Sequence, residues 1–483
     1  MMNNGIFVLL SLIGPTAAWA QYPQVTAAAQ QRADSLMGVW QAQSDSAWAV
    51  AWPVVEREAR NGRPYRPWAS KPDDLPQAPT PCFEGAEGGG MYSFGGRDGR
   101  VLTVTNLNDR GPGSLRWACE QGGARTVVFA VGGTIRLSSP ISVRAPYISI
   151  LGQTAPGEGI TIAGESFWID THDVVVRHLR FRRGPTSVTR RDDCLGGNPV
   201  GNIMIDHCSC AFGLDENLSV YRHVFTDAQG QRHKLPTVNV TIQNCISAKA
   251  LDTWNHAFGS TLGGENCTVV RNLWASNTGR NPSVGWHGMF AFVNNVVFNW
   301  RHRTMDGGGA EARFNIIGNY LKPGPATPPT GSVRRRLVKP DRGAQVYARG
   351  NVVETGTADG SGGAKKREEG TIEGEAVIVE QPFAMAPVTI MEADAAYDYV
   401  LRNAGATLPR RDALDSVIVE EVRTGMISYD AEAEVPPAGA GEVEAESLDG
   451  EGHFRYRRMG SDSYRLGIVT DPRQVRLSRP AKP

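Results

Sequence analysis

The runs VVVRHL (174–179), IMIDHC (203–208) and VTIQNC (240–245) decide the fold of this chain. Each is a short apolar stretch that ends in a polar residue followed by a core-type residue. Four more runs of this kind follow them: VVRNL (269–273), FVNNV (292–296), IIGNY (316–320) and YARGNV (347–352). An alignment gives steps of 29, 37, 28, 23, 24 and 32 residues when it is anchored on His178, His207, Asn244, Asn272, Asn295, Asn319 and Asn351. Periods of this size are typical of a solenoid.

Each run is too short for a helix and is rich in Val and Ile, so it is predicted to be a strand. Glycine and asparagine fill the gaps between the runs, which suits tight turns. Strands one coil apart would then stack in parallel, about 4.8 Å from each other. We therefore predict an all-β chain, a right-handed parallel β-helix over residues 83–355. Asparagines stacked at one corner could hydrogen-bond along it.

The composition fits this fold and excludes several other classes of protein. The 483 residues contain 50 Lys and Arg against 50 Asp and Glu, so the formal net charge is zero. Hydrophobic residues make up 41% of the chain, which excludes a disordered or collagen-like protein. Zero charge also argues against a globally basic nucleic-acid binder. The 55 glycines suit coil corners that need a positive φ.

The ends of the chain differ in composition from the repeats. Residues 1–20 combine an apolar core with an Ala-Trp-Ala ending, which predicts a cleaved signal peptide and secretion to the periplasm or the extracellular space. Residues 21–82 are expected to form a helical segment that caps the solenoid. A C-terminal extension with a short helix is expected over 356–429, and a flexible tail over 430–483. No later stretch is long and apolar enough to span a membrane.

The seven cysteines do not indicate a zinc site, because Cys208-Ser209-Cys210 lacks the C-x-x-C spacing and has no second pair. Cys208 and Cys245 follow the aligned residues of neighbouring coils. They belong to a predicted core column, in which they would be small buried hydrophobic residues. In the alignment that column also contains Leu179, Leu273, Val296, Tyr320 and Val352.

The densest charge cluster is RHLRFRRGPTSVTRRDD (177–193). Arg180 and Arg182 would share one face of an alternating strand, and arginines on an outer face suit the recognition of carboxylates. The alternative is a solvated network of surface salt bridges.

Two pairs of acidic residues lie 23 residues apart, a distance of one coil. Asp192 and Asp193 could therefore face Asp215 and Glu216 on adjacent coils. Several carboxylates together can bind Ca²⁺, although Asp residues at such places can also serve as turn or capping residues. Downstream, Arg280 lies in the loop SNTGRNPSVGWHG (276–288), which contains a proline.

Together these segments resemble polysaccharide lyase family 1, the pectate lyases. The resemblance covers about residues 80–325 and rests on segments in a consistent order: FEGAEGGG (83–90), TNLNDRGPGSLRWA (105–118), ILGQTAPGEGITIAG (150–164), NIMIDHCS (202–209), GRNP (279–282) and NNVVFNW (294–300). The family folds as a right-handed parallel β-helix, in agreement with the repeats. It cleaves α-1,4-linked galacturonan by β-elimination assisted by Ca²⁺.

The resemblance implies roles for single residues. Arg280 matches the arginine of the family's R-x-P motif, which acts as the base. Asp193, with Asp192 as an alternative, and Glu216 match calcium ligands. A further aspartate of the family falls on Val220, so either Asp215 could replace it or calcium could bind mainly together with the substrate.

Other matches concern the binding of substrate. Lys249 matches a substrate-binding lysine, and the second arginine of the family's motif falls on Gly285. His287 or Arg303 could supply the missing contact. We expect a monomer that binds an acidic polysaccharide, and neither nucleic acid nor membrane. Two other functions remain open: a lyase or hydrolase for another uronate-containing glycan, and a non-catalytic glycan-binding protein.

Overall fold

The computed structural model describes residues 27–184, 190–252, 256–355 and 366–427, together with three short strands. These strands, Val443–Ala445, Arg455–Arg458 and Ser463–Arg465, form a separate antiparallel sheet. The expected signal peptide over 1–20 and the rest of the expected tail over 430–483 lie outside the described residues. Within the described ranges, no helix has the length and apolar character needed to cross a bilayer.

Three long sheets form the body of the molecule, and each turn of the chain, apart from the turns at the two ends, contributes one strand to each of them in the same order. Neighbouring strands are parallel, except for the last pair of the second sheet. The architecture is a right-handed parallel β-helix, as the repeats predicted. The strands of the first sheet are Arg100–Val104, Arg125–Phe129, Ile148–Leu151, His172–Arg177, Gly201–Asp206, Val238–Gln243, Glu265–Val270, Met289–Val293, Arg313–Ile317, Gln345–Arg349 and Val377–Ile378.

The second and third sheets have shorter strands. The strands of the second sheet are Gly133–Arg136, Ile160–Ala163, Leu179–Arg182, Ser209–Ala211, Ile246–Ala248, Leu273–Ala275, Val296–Phe298, Tyr320–Lys322, Val352–Glu354 and Arg367–Glu368. The strands of the third sheet are Ile141–Val143, Phe167–Ile169, Leu195–Gly197, Glu216–Val220, Phe258–Leu262, Ser283–Val284, Met305–Gly307, Arg336–Pro340 and Thr371–Ile372. An antiparallel hairpin, Arg222–Thr226 with Arg232–Pro236, projects from one coil.

The register of the coils corrects the alignment made from sequence. Asp206 pairs with both Arg177 and Gln243, which places His178, His207 and Asn244 at one corner as expected. Gln243, however, pairs with Val270, so the next corner residue is Arg271 and the alignment on Asn272 is wrong by one. The shift persists along the solenoid. The corner residues all have a positive φ, and they are His178, His207, Asn244, Arg271, Asn294, Gly318 and Gly350.

The column after these corners holds the hydrogen-bonded asparagines. The Nδ2 atom of Asn272 donates to Oδ1 of Asn295 at 3.0 Å, and the same bond joins Asn295 to Asn319 at 3.1 Å and Asn319 to Asn351 at 2.9 Å. The ladder continues into Cys245, whose backbone N–H donates to Asn272 at 2.8 Å. Cys208 and Cys245 therefore lie at the end of this buried ladder, as free thiols.

The residues that the alignment assigned to the later part of the core column lie elsewhere. Leu273, Val296 and Tyr320 begin strands of the second sheet and are buried beneath the C-terminal helices, outside the solenoid's interior. The expectation for them is wrong because the alignment is anchored on asparagines such as Asn272. The corner residue of that coil is Arg271, so the core column passes through Asn272 and not through Leu273.

Helices cover parts of the solenoid. The short helix Leu115–Cys119 buries Leu115 and Cys119 in the core at the first coil. The long helix Ala27–Arg60 lies against the same coils, where Glu58 accepts a hydrogen bond from the Ala124 backbone N–H at 2.9 Å. The remaining helical segments are the α-helices Ser332–Arg335, Ala393–Asn403 and Ala413–Thr424 and the 3₁₀ turns Pro72–Asp74 and Gly152–Thr154.

Candidate active site

The N-terminal ends of neighbouring strands in the third sheet bring residues from four coils into one line. Leu195 pairs with Leu218, which places Asp193 opposite Glu216. Glu216 pairs in turn with Phe258, and Phe258 forms a bridge with Gly279. Arg280 follows directly, so a short length of the solenoid surface collects side chains that are far apart in the sequence.

A cleft of about 180 Å³ opens at this line of residues. Its wall carries three carboxylates and two guanidinium groups, with few apolar atoms between them. The charged residues are Asp193, Asp215, Glu216, Arg222 and Arg280, and the remaining lining residues are Gly197, Ser219, Tyr221 and Thr261.

Arg280 is held at the cleft by a left-handed backbone conformation with φ at +53°. Its guanidinium forms an ion pair with Glu216 and lies 4.5 Å from the centre of the Phe258 ring. The hydroxyl of Thr261 donates to the same Glu216 oxygen at 2.8 Å. Burial disfavours the cation, but the charge and hydrogen bond of Glu216, together with the charges of Asp215 and Asp306, outweigh burial and raise the pKa of Arg280 above its ordinary value.

Asp215 is paired with His256, a residue that the sequence did not point to. Burial alone would raise the pKa of Asp215, but the contacts with His256 and the charge of Arg280 lower it. The Nε2 atom of His256 also lies 3.4 Å from Nη2 of Arg280. His256 follows a stretch without a motif, so a single sequence offers no signal for it.

Asp193 completes the group of carboxylates. It is half-buried, and its Oδ1 accepts a hydrogen bond from the Glu216 backbone N–H at 2.9 Å. Burial, followed by the charges of Glu216 and Asp215, raises the pKa of Asp193 well above its ordinary value. The cleft therefore contains three carboxyl groups against two guanidinium groups, and oxygen donors of this kind suit a hard divalent cation such as Ca²⁺.

Asp192, the alternative to Asp193, turns away from the cleft. Its carboxylate pairs with Arg183 at 3.4 Å and with Arg190, and both arginines also pair with Glu165. Of the two neighbouring aspartates, the structure thus brings only Asp193 to Asp215 and Glu216.

Three predicted substrate-binding residues lie beneath the C-terminal helix Ala413–Thr424 instead of at the cleft. Arg182 is buried and pairs with Asp415 at 2.9 Å, and Arg180 pairs with Asp412 at 3.2 Å. Lys249 is buried as well and pairs with Glu421 at 2.9 Å. Arg180 and Arg182 were expected on an open face of the solenoid. Instead, these two arginines and Lys249 form buried ion pairs that attach the helix to the solenoid.

The two remaining candidates lie outside the lining of the cleft. Arg303 pairs with Asp306 at 3.1 Å, and its guanidinium lies 4.6 Å from the centre of the Phe258 ring, which Arg280 also contacts. His287 is exposed and lies 3.9 Å from Glu265. Arg303 and Arg280 thus contact the same Phe258 ring. His287 is not among the residues that line the cleft.

The two departures from the family's pattern have structural explanations. Val220 is fully buried in the core at the end of its strand, where a carboxylate would be unpaired. At Gly285, a Cβ atom would come within 2.5 Å of both the Tyr221 ring and the Thr261 side chain, so this position has no room for an arginine.

Tyr221 and Arg222 were also missed by sequence reasoning. They open the hairpin Arg222–Thr226 and Arg232–Pro236, which lengthens this coil. The 37-residue step between His207 and Asn244, the longest of the series, was the available signal for an insertion.

Comparison with known proteins finds relatives that are named as pectate lyases. A protein of Aspergillus flavus named "Probable pectate lyase C" is 34% identical over 377 residues, which cover 75% of this chain and 82% of the relative. A protein of the same name from Aspergillus fumigatus is 35% identical over 397 residues, covering 77% and 85%.

The scan against family models found no match. Among solved structures, the major cedar pollen allergen jun a 1 superposes with a TM-score of 0.50 at 18% identity, covering 66% of this chain and 92% of the allergen, and this similarity concerns the fold. The relatives at 34% and 35% identity span most of both chains. The chain therefore belongs to the pectate lyases of polysaccharide lyase family 1 and is a polysaccharide lyase.

Proposed function

We propose that the chain is a secreted enzyme that cleaves α-1,4-linked galacturonan by calcium-assisted β-elimination, with Arg280 as the base. The observation that carries the proposal is the meeting of Arg280 with Asp193, Asp215 and Glu216 in one cleft. The names of the relatives and the apolar N-terminal stretch support the substrate and the secretion.

The reaction needs a base close to C5 of a galacturonate unit. Removal of the C5 proton leaves an electron pair that forms the C4–C5 double bond while the bond from C4 to the glycosidic oxygen breaks. The departing oxygen then takes a proton from solvent. The C5 proton is only weakly acidic, so the negative charge that spreads into the C6 carboxylate must be stabilised.

Arg280 can accept this proton only when its own cation is disfavoured, because arginine is ordinarily protonated. The charge of Glu216 currently has the opposite effect and raises the pKa of Arg280. Engagement of Glu216 by another cation would remove that effect, and burial would then favour the neutral guanidine.

Asp193, Asp215 and Glu216 are the residues that would hold Ca²⁺. When bound there, the ion would neutralise the substrate carboxylate and stabilise the charge that develops beside it. Arg303, on the same aromatic ring as Arg280, remains a candidate contact for a neighbouring uronate carboxylate.

The proposal is tested by incubating the full chain with polygalacturonate, with and without Ca²⁺. Ultraviolet absorbance follows the unsaturated product, and a reducing-end assay counts the broken bonds. β-Elimination gives both signals, in proportion and with a dependence on Ca²⁺. New reducing ends without absorbance would show hydrolysis, and the absence of both signals on this substrate would reject galacturonan.

A further inference from the structure

We propose that Arg222, at the base of the hairpin Arg222–Thr226 and Arg232–Pro236, binds a substrate carboxylate beside Arg280, taking the place of the arginine that the family carries at the position of Gly285. The inference rests on the proposed function and names a specificity-determining residue within it. Nothing in the family's motif indicates this residue, since it lies on a different coil.

The first argument is the space around Gly285. A Cβ atom there would lie 2.5 Å from Cδ2 of Tyr221 and 2.5 Å from Cγ2 of Thr261. The Tyr221 ring thus occupies the space through which a side chain at Gly285 would have to pass. A guanidinium on this wall of the cleft must come from another position.

The second argument is the position of Arg222 itself. It lines the same cleft as Asp193, Glu216 and Arg280 and is half-buried there. Its guanidinium lies 5.3 Å from the centre of the Tyr221 ring. Tyr221 therefore both blocks a side chain at position 285 and packs against Arg222.

The third argument is the charge balance of Arg222. Its Nη1 donates to the amide oxygen of Asn198 at 2.8 Å, and its Nε donates to the Tyr221 hydroxyl at 3.3 Å. Both partners are neutral, and within the described residues Arg222 has no carboxylate partner. Arg280 in the same cleft is paired with Glu216. A guanidinium that is oriented by neutral groups and has N–H donors left over is well suited to an incoming carboxylate.

Lys234, on the second strand of the hairpin, adds positive charge next to Tyr221, outside the lining of the cleft. It is exposed, and its Nζ lies 4.8 Å from the centre of the Trp286 ring and 6.0 Å from that of Tyr221. The hairpin therefore presents cations to an anionic polymer next to the carboxylate cluster. The carboxylates would bind the metal, and Arg222 would bind the adjoining uronate.

The test compares Arg222→Ala with Arg232→Ala, which removes an exposed arginine from the same hairpin away from the cleft. Steady-state kinetics on polygalacturonate with saturating Ca²⁺ should show KM raised about tenfold or more for Arg222→Ala, because a charge-assisted hydrogen bond is lost. The value of kcat should change little, and Arg222→Lys should recover part of KM. Arg232→Ala should behave as the unaltered chain does.

A second readout concerns the methyl ester. An ester removes the charge that Arg222 would bind, so Arg222→Ala should lower the preference for free acid over methylated substrate. An unchanged KM and an unchanged preference in a variant that melts normally would overturn the inference.

Equilibrium binding of galacturonate oligomers, followed by calorimetry, separates this inference from the proposed function. If the unaltered chain binds the oligomers without cleaving them, the proposed function fails. Weaker binding by Arg222→Ala would still support the carboxylate contact. Equal binding by both proteins, or binding by neither, would reject it.

Discussion

Arg280 and Glu216 form an ion pair that reaches across two steps of the solenoid, and Phe258 belongs to the coil between them. The proposed base is thereby joined to one of the proposed metal ligands. Each group satisfies the other's charge, so a cation bound by Glu216 would also change the charge that surrounds Arg280. Substitutions can separate the two roles.

Arg280→Ala should lower the rate of formation of unsaturated product by about 10²- to 10⁴-fold, the range expected when a general base is lost. Binding of galacturonate oligomers should change much less, because the cleft keeps its other charged groups. The matched control is Arg313→Ala, which removes an exposed arginine from the first sheet. A variant at position 280 that keeps a tenth of the activity would contradict the assignment.

The neighbours Asp192 and Asp193 should respond differently to amidation. Asp193→Asn should raise the Ca²⁺ concentration needed for half-maximal activity by at least about tenfold, because a charged oxygen donor is lost from the cluster. Asp192→Asn should instead lower the melting temperature, since Arg183 and Arg190 lose a partner. Calcium titrations and thermal melts of both variants check this. The reverse pattern would show that the ligand had been assigned to the wrong residue.

His178 should make the fold sensitive to acid. Its Nδ1 accepts a hydrogen bond from the Leu408 N–H at 3.2 Å, its ring stacks on His207, and burial with its neighbours' charges lowers its pKa to about 3. A lowered pKa means that the unfolded chain binds the proton more tightly. The contribution to stability is therefore complete above about pH 6.5 and declines as the pH falls towards 3.

The measurement is the free energy of unfolding as a function of pH. The loss attributable to His178 should be on the order of 4 kcal/mol over this range. His178→Gln should be less stable at neutral pH but should show a flatter decline on acidification. Parallel curves for the two proteins would exclude His178 as a source of the acid sensitivity.

Arg182→Met should destabilise the chain by about 3 to 5 kcal/mol, because Asp415 would become an unpaired buried charge. Chemical denaturation measures this loss, and Arg402→Met, an exposed change on the neighbouring helix Ala393–Asn403, is the control. The KM for polygalacturonate should be unchanged in the protein that remains folded. A raised KM with normal stability would instead return Arg182 to the substrate-binding residues.

Most strands of the first sheet could be predicted because they are short apolar runs, mainly rich in Val and Ile, with a strand's length. Their exact register could not, since asparagine suits both the left-handed corner and the hydrogen-bonded position after it. Asn294 and Asn295 occupy these two places side by side. The third sheet has strands of as few as two residues, such as Ser283–Val284, which carry too little pattern to be recognised.

Prediction of the site depended on coil spacing and on family resemblance. These led to Asp193, Asp215, Glu216 and Arg280, which the structure places in one cleft. His256 comes from a coil without a motif, so its side chain could be located only in three dimensions. The residues Arg182 and Lys249 looked available for substrate because their partners on the helix Ala413–Thr424 lie more than 170 residues further along the chain.

That helix changes how the solenoid can come apart. Stacked coils ordinarily contact only their neighbours, which lets such a protein fray from one end. Here Asp415 is bound by Arg182 and Ser209, Glu421 by Lys249, and the Val422 carbonyl by Lys322 at 2.7 Å, so a single helix is fastened to coils well apart in the stack. The helix must therefore detach before the coils beneath it can separate. This favours cooperative unfolding of these coils as one unit.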